Sequence, residues 1–510
     1  MGLVAGVDSS TQSCTVVLHD VDSGARLAVA SAPHPSTTPP ISEQHPESWW
    51  EAFTQALTSA CARARCTPSA ISAISIDAQH HGLVALGPDA EVLRPVKLWN
   101  DTTSAPQAAK LVRQLGPAEW IRRTGSVPTA AFTVTKLAWL AEHEPAAFQR
   151  MTMALLPHDW LTMQLTGVPV TDRADASGTG YFDPVENRWC EDLLAHIDPH
   201  RDWVNQLPEV RGPQTAAGLA CTDRAQALGL TADTIVGPGT GDQSAAALGL
   251  GIEPGDMLFS LGTSGVVTGL STSQVSNSAG LVNGTASASG AFQPVVITLN
   301  AAKVSDTFAR LLGVDHDTFA VLALAADRHD DRRPILVPYL DGERTPNRPF
   351  AHGVLADLGS ATTREEFALS VVEGVVLGLL QGRQALADTG MPMNGRLLVT
   401  GGAARSAAYR QLLASLSGQS VHVPATEGDA MSARGAAVQA AAVLLGAPVG
   451  EIASAWAPKL EVVADPQSGD REYAAQRNAR YATVSTVSSQ LDSPPADEGS
   501  GAEPEEGSHT

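Results

Sequence analysis

The feature that most constrains this chain is a strand–turn–strand device that occurs twice. Gly6-Val7-Asp8-Ser9-Ser10-Thr11-Gln12-Ser13 runs an apolar strand into a small-residue turn carrying one carboxylate, and the strand pattern resumes at Cys14-Thr15-Val16-Val17-Leu18. Phe259-Ser260-Leu261-Gly262-Thr263-Ser264-Gly265-Val266-Val267 repeats the plan in the second half, again with a hydroxyl-rich turn. Two matching hairpins imply two related halves. A chain of 510 residues exceeds what one core usually supports, which predicts two domains of about 200 to 250 residues each.

The segments around each hairpin follow one order. In the first half, strands are predicted at 3–7, 14–18 and 26–31, then a helix at 46–65, then strands at 73–77 and 84–86. The helix rests on Pro46 in its first turn, Glu47 near the positive end of the dipole, and Trp50, Phe53, Leu57 and Ala60 on one face. In the second half, strands at 256–261, 266–270 and 295–299 precede a helix at 302–312. A long buried helix at 365–387 carries Gly374 and Gly378, four apart, which leave a groove for close packing. A strand at 396–400 then leads through Gly401-Gly402-Ala403-Ala404 into a helix at 406–416. Glycine and proline concentrate between Gly237 and Gly255, which predicts a hinge and a cleft there. The expected class is therefore α/β with two domains, 1–243 and 244–483, and a tail at 484–510. From about Ser485 the composition turns to Ser, Pro, Gly and acid, with Asp492, Asp497, Glu498, Glu503, Glu505 and Glu506 and no Lys or Arg, so the tail is expected to be disordered and solubilising.

Charge narrows the partners. A net charge of −21 disfavours nucleic acid and anionic membranes, which are held by clustered Lys and Arg. No apolar run is long enough to span a bilayer and the N-terminus enters a strand without a signal-peptide pattern, so a cytoplasmic location is expected. The five cysteines are odd in number and lack Cys-x-x-Cys spacing, so they read as small core residues and not as disulfides or a zinc site.

No lysine is followed by Ser or Thr, which excludes a P-loop. Phosphates can instead be cradled by backbone amides of two small-residue turns, Thr11, Gln12 and Ser13 in one and Gly262, Thr263, Ser264 and Gly265 in the other. Either turn alone is an ordinary hairpin; in matching positions of two halves they read as phosphate binding. Asp8 at the first turn is placed to hold the waters of a magnesium ion bridging ATP phosphates. Asp242, between Gly241 and an Ala-rich helix, has two readings that both stand: an N-cap worth about 1 kcal/mol, or a base accepting a hydroxyl proton, worth about 10²- to 10⁴-fold in rate. Gln79-His80-His81-Gly82 and Trp99-Asn100-Asp101 place hydrogen-bonding groups at strand ends, which suits a polyol or sugar. A metal at the His pair is disfavoured because adjacent residues on extended chain point oppositely. Two histidines satisfied at a surface turn are the ordinary alternative.

The ordered set of these motifs, with Leu156-Pro157-His158-Asp159-Trp160, Thr171-Asp172, Asp175-Ala176-Ser177-Gly178-Thr179, Tyr339-Leu340-Asp341-Gly342-Glu343-Arg344-Thr345-Pro346 and Gly401-Gly402-Ala403-Ala404-Arg405-Ser406, resembles the FGGY carbohydrate kinases over about residues 1–480. Within that family it is most similar to the members acting on xylulose. The resemblance implies two actin-like (ribonuclease-H-like) domains with ATP, Mg²⁺ and sugar in the cleft. It implies Asp242 as catalytic base and Asp8 as the acid of the first phosphate hairpin and the metal site. By position, Gln79, His80, His81, Trp99, Asn100 and Asp101 fall at the sugar, Thr11, Gln12, Ser13, Gly262, Thr263 and Ser264 at the phosphates, and Gly401, Gly402 and Ala403 at the adenosine. His80 stands where the family often has Met or Gln, Gln243 where it has Asn, and Ala403 where it has a third Gly. The implied activity is ATP-dependent phosphorylation of D-xylulose to D-xylulose 5-phosphate. The alternatives are a sibling kinase acting on ribulose, glycerol, gluconate or another polyol, and, in another class, an actin-like nucleotide-switched binding protein. A homodimer is compatible with the sequence, which fixes no oligomeric state.

Overall fold

Leu3–Ser9 (β1), Ser13–Asp20 (β2) and Arg26–Pro33 (β3) form an antiparallel meander in a computed structural model that describes residues 2–330, 332–425 and 430–492. Pro46–Ala64 (α1) lays Trp49, Phe53, Ala56 and Leu57 on this sheet and stops where Arg65 adopts a left-handed conformation at φ 55°. The chain returns as Ile71–Ala78 (β4), parallel to β1, with Asp8 and Asp77 directly paired. Gly218–Leu219 (β5), Ile235–Val236 (β6) and Thr240–Gly241 (β7) complete a sheet of order β5-β6-β4-β1-β2-β3, in which β7 also lies along β4 and pairs Thr240 with Asp77.

The second half rebuilds the same frame. Met257–Leu261 (β8), Gly265–Gly269 (β9) and Val295–Thr298 (β10) form the meander, Leu397–Thr400 (β11) runs parallel to β8, and Val421–Pro424 (β12) and Leu460–Ala464 (β13) follow in the order β10-β9-β8-β11-β12-β13. In both sheets the first strand of the meander is central and parallel to a strand that arrives after a helix. Arg364–Ala387, started by a capping box between Thr363 and Glu366, is the buried spine of this half. Its Gly374 admits a strand: a Cβ there would lie 2.3 Å from the Leu336 carbonyl.

The halves meet along two helices. Asp242–Leu250 (α2) leaves the first sheet and crosses Met431–Leu445 (α3), which lies on β1 and β4. The approach is close because the contact residues lack side chains: a Cβ on Gly435 would fall 1.8 Å from the Ala245 carbonyl, and one on Gly6 1.9 Å from that of Ala433. Gln439 of α3, fully buried, accepts from the Ser75 hydroxyl and the Gly239 amide and donates to the Gly239 carbonyl, pinning the chain just before α2.

The expected tail begins too early. The helix Asp470–Ser488 continues past residue 484, and the Arg348 guanidinium donates to the Ser485 carbonyl, to Ser488 and to Asp492. Composition of the segment alone shows no cation; the cation comes from elsewhere in the chain. Residues 493–510, where most of the tail's acids fall, lie outside the described residues. Among the described residues no helix is long and apolar enough to cross a membrane.

Candidate active site

Three strands that run parallel and adjacent deliver three carboxylates to one edge: Asp8 from β1, Asp77 from β4, and Asp242 immediately after β7. Asp77 is fully buried, and neither of its oxygens nor Asp8 Oδ1 nor Asp242 Oδ1 has a hydrogen-bond partner. Burial and the neighbouring Asp242 charge push the Asp8 carboxyl up to about 7. Burial, Asp8 and Asp242 push Asp77 well above the carboxylate range. Buried acids without cations are unstable as anions, so this edge fits a bound cation. Among the described residues no group of three or more His, Cys, Asp or Glu side chains is arranged to hold a metal ion by itself.

Asp242 is the first residue of α2, not its cap. Gly241 occupies the cap position and no side chain caps the helix. The N-cap reading of Asp242 therefore falls, and its carboxylate, 31% exposed, is left for the cleft. Beside it stands His80, with Nδ1 2.6 Å from Asp175 Oδ1 and Nε2 3.4 Å from Asp242 Oδ1. Burial pulls the His80 pKa down, but Asp175, Asp242 and Asp172 outweigh it and push it up to about 9. Asp175 sits in a short turn of helix at Arg173–Ala176 that is capped by Asp172, which accepts from the Ala174 and Asp175 amides and from the Thr240 hydroxyl. One carboxylate thus ties the Asp175 turn to the strand that ends at Asp242.

His81 adopts a left-handed conformation at φ 70°, so the two rings do not diverge as an extended chain would require; their centroids are 5.5 Å apart. The argument from opposite directions therefore does not hold at this pair. The His81 carbonyl accepts from Lys136 Nζ at 2.8 Å and from Thr133, and its ring stacks on Phe132. Its Nδ1 pairs with the Gly178 carbonyl at 2.7 Å, and burial, His80 and Lys136 hold its pKa well below the usual value. His81 is therefore neutral, with Nε2 free to accept from a hydroxyl.

His80 and His81 line a cavity with about 520 Å³ of empty space whose other walls are Phe132, Gln243, Ser244, Asn283, Thr285, Gln293, Ile297 and Arg344. Its lining mixes apolar and neutral hydrogen-bonding side chains with two cationic ones, His80 and Arg344, the latter's guanidinium pulled down to about 10 by burial. Sequence reasoning missed Asp77, Asp175, Asn283, Thr285, Gln293 and Arg344 as site residues. Asp175 and Arg344 stood in quoted motifs without a role, and the 283–293 segment has no periodicity to betray it. Trp99, Asn100 and Gln79 do not line this cavity. Gln79 and Trp99 stand at the first hairpin, where Thr11 donates to Gln79 Oε1 and accepts from Trp99 Nε1 at 2.9 Å. Asp101 is a correction: it is 1% exposed, accepts from the Ser42 and Thr103 amides and faces Lys97, so it holds the Trp99–Asn100 turn and has no oxygen turned to a ligand.

The second hairpin opens on a larger cavity of about 1730 Å³ lined by Gly262, Thr263, Gly402 and Ala403, with Asp306, Phe319 and Tyr409 from helices that sequence reasoning did not assign to it. Ser264 completes the hairpin tip, its carbonyl accepting from the Gly262 amide. Gly401 is needed at its turn: φ is 91°, and a Cβ would lie 2.6 Å from the Leu261 carbonyl. Ser10, Thr11 and Gln12 form the first hairpin tip, closed by the Ser10 amide on the carbonyl of Ser13, the first residue of β2.

Comparison with known proteins matches the two halves of the chain separately. Residues 3–249 match the FGGY family of carbohydrate kinases, N-terminal domain, and residues 257–444 match the C-terminal domain of that family. The chain is 41% identical over 480 residues to a xylulose kinase of Streptomyces rubiginosus, covering 92% of this chain and 95% of that one. It is 40% identical over 457 residues to a xylulose kinase of Streptomyces coelicolor, covering 89% and 90%. The crystal structure of xylulose kinase from Bifidobacterium adolescentis superposes with a TM-score of 0.81 at 35% identity, covering 94% of this chain and 99% of that one.

Proposed function

The chain belongs to the FGGY family of carbohydrate kinases, and from that membership we propose that it transfers the terminal phosphoryl group of ATP to the 5-hydroxyl of D-xylulose, giving D-xylulose 5-phosphate and ADP. The observation that carries the reading is the small, hydrogen-bonding cavity at His80 and His81 beside an uncapped Asp242, in a chain similar to xylulose kinases over nearly its whole length.

Sugar enters the smaller cavity, where neutral His81 accepts from a hydroxyl and Asn283, Thr285 and Gln293 offer amide and hydroxyl groups. The adenosine of ATP takes the larger cavity at Gly402 and Ala403, and the two hairpin tips direct amides toward its phosphates. Asp242 accepts the proton of the attacking hydroxyl. Because the transition state of phosphoryl transfer is loose, alignment carries much of the acceleration and a modest base suffices. Asp8, with Asp77 behind it, would hold Mg²⁺ arriving with the nucleotide, and the ion supplies charge neutralisation on the transferring phosphoryl group.

A coupled ADP-release assay across ketoses and polyols tests this. D-Xylulose is expected to give the highest kcat/KM among pentuloses and glycerol little turnover. Equal ADP release with and without sugar would sink the kinase reading, whereas a clear preference for another polyol would sink the xylulose assignment alone.

A further inference from the structure

One arrangement is left unused by that chemistry: an imidazole wedged between two carboxylates that lie far apart in sequence. His80 presents Nδ1 to Asp175 at 2.6 Å and Nε2 to Asp242 at 3.4 Å. Asp175 is the fixed end, fully buried in a turn capped by Asp172. Gly241 supplies the clearance: a Cβ at that position would stand 1.9 Å from His80 Cε1, so the ring comes this near to Asp242 because the preceding residue has no side chain. Asp175 also faces His158, whose Nε2 lies 3.3 Å from its second oxygen without a hydrogen bond and whose pKa burial pulls down to about 4, so among the described residues Asp175 has its one charged side-chain partner in His80.

We propose that His80 is a positioning residue which, held by Asp175, fixes the Asp242 carboxylate for the acceptor hydroxyl. The inference rests on Asp242 being the base of a sugar kinase. His80 Nδ1 is hydrogen-bonded to Asp175 while Nε2 faces Asp242 at ion-pair distance, and the ring's pKa, pushed up to about 9, keeps it doubly protonated and cationic at neutral pH. The groups facing Asp242 from the packed elements are Asp8 of β1, Asp77 of β4, Asp175 of the capped turn, and His80 after β4. His80 is the cation of that set. Burial pushes the Asp242 pKa up while His80 opposes the rise. The ring therefore opposes protonation of the base as well as facing it.

His80→Gln in the full-length protein tests this, read through the pH profile of kcat/KM for the sugar. Without the imidazolium the acid limb is expected to move up by about one pH unit or more. At neutral pH kcat should fall about 10- to 100-fold from misplacement of the base. The position of the limb does not depend on how much of the variant is folded, so a loss of stability does not blur it. Asp175→Asn should lower kcat in the parent protein but add little in the His80→Gln background, because both act through one contact. An unmoved acid limb with unchanged kcat and only a raised sugar KM would overturn the proposal and return His80 to a plain sugar contact. Additive losses from the two substitutions would overturn it as well. Sugar-independent ADP release by the unsubstituted protein would instead overturn the kinase reading on which it stands.

Discussion

At the first hairpin the two central parallel strands bring Asp8 opposite Asp77; at the same place in the second half the paired residues are Ser260 and Thr400. The frames are alike to the strand order and to the three-residue hairpin tips, 10–12 and 262–264. The chemistry is not. The first half gathers buried acids at its strand ends, which need a cation and a proton acceptor's partner close by. The second half offers hydroxyls and small residues around the larger cavity. A duplicated sheet thus supplies the same geometry twice, and two residues per half decide which copy handles charge and which accommodates a bulky ligand.

The strongest way to break this division is at Asp242. Asp242→Asn should lower kcat by about 10²-fold or more, equivalent to roughly 2.7 kcal/mol of barrier, in steady-state ADP release. Melting temperature should hardly move, because Asp242 makes no cap bond to lose. A well-folded variant with near-normal kcat would remove the acid edge from the chemistry and leave the two halves distinguished by cavity size alone.

The next effect separates metal from sugar. Asp8→Asn should raise the Mg²⁺ concentration giving half-maximal turnover by about 10-fold, the usual scale for losing one partner of a bound ion. The sugar KM should stay near the parent value. Damage confined to the sugar KM would show that the first hairpin serves the acceptor and not the nucleotide phosphates.

How much of this was legible beforehand differs between strands and site. The hairpins, α1 and the helix at 302–312 could be read because alternation, proline at a first turn and glycine punctuation are local signals. Asp8 stood out at the end of an apolar strand, and Asp242 between Gly241 and an Ala-rich helix. The His80–Asp175 pairing could not be read, since each residue stood in its own motif and 95 residues separate them. Asp101 misled because a polar residue at a strand end looks the same whether it faces a ligand or, as here, the Ser42 amide. The tail misled because Arg348 lies 144 residues from Asp492.

A smaller test uses pH. Asp8, held near 7 in the folded protein against about 3.9 unfolded, keeps a proton that the unfolded chain releases between those values. Its contribution to stability is therefore present at low pH and is lost as pH rises through about 4 to 7. Asp172, pushed up to about 7 by burial, acts in the same direction. The melting temperature of the metal-free protein should fall across that window, and Asp8→Asn should make the fall shallower by about 2 °C. An unchanged slope would mean that Asp8 is not the group whose retained proton sets it.

The smallest expected effect is the control that gives the comparison its meaning. Ser260 occupies in β8 the place of Asp8 in β1, next to last in the strand before a three-residue tip and in register with Thr400 as Asp8 is with Asp77. A hydroxyl brings no charge to a phosphate or a metal, and its net worth as a hydrogen-bonding group is about 1 kcal/mol at most in either direction. Ser260→Ala should therefore leave kcat within about 2-fold of the parent. The Mg²⁺ dependence of turnover and the pH slope of melting should both stay where they are, while Asp8→Asn moves them. If Ser260→Ala raised the Mg²⁺ requirement as Asp8→Asn does, the two strand ends would share one job, and the division between an acidic half and a neutral half would be wrong at its root.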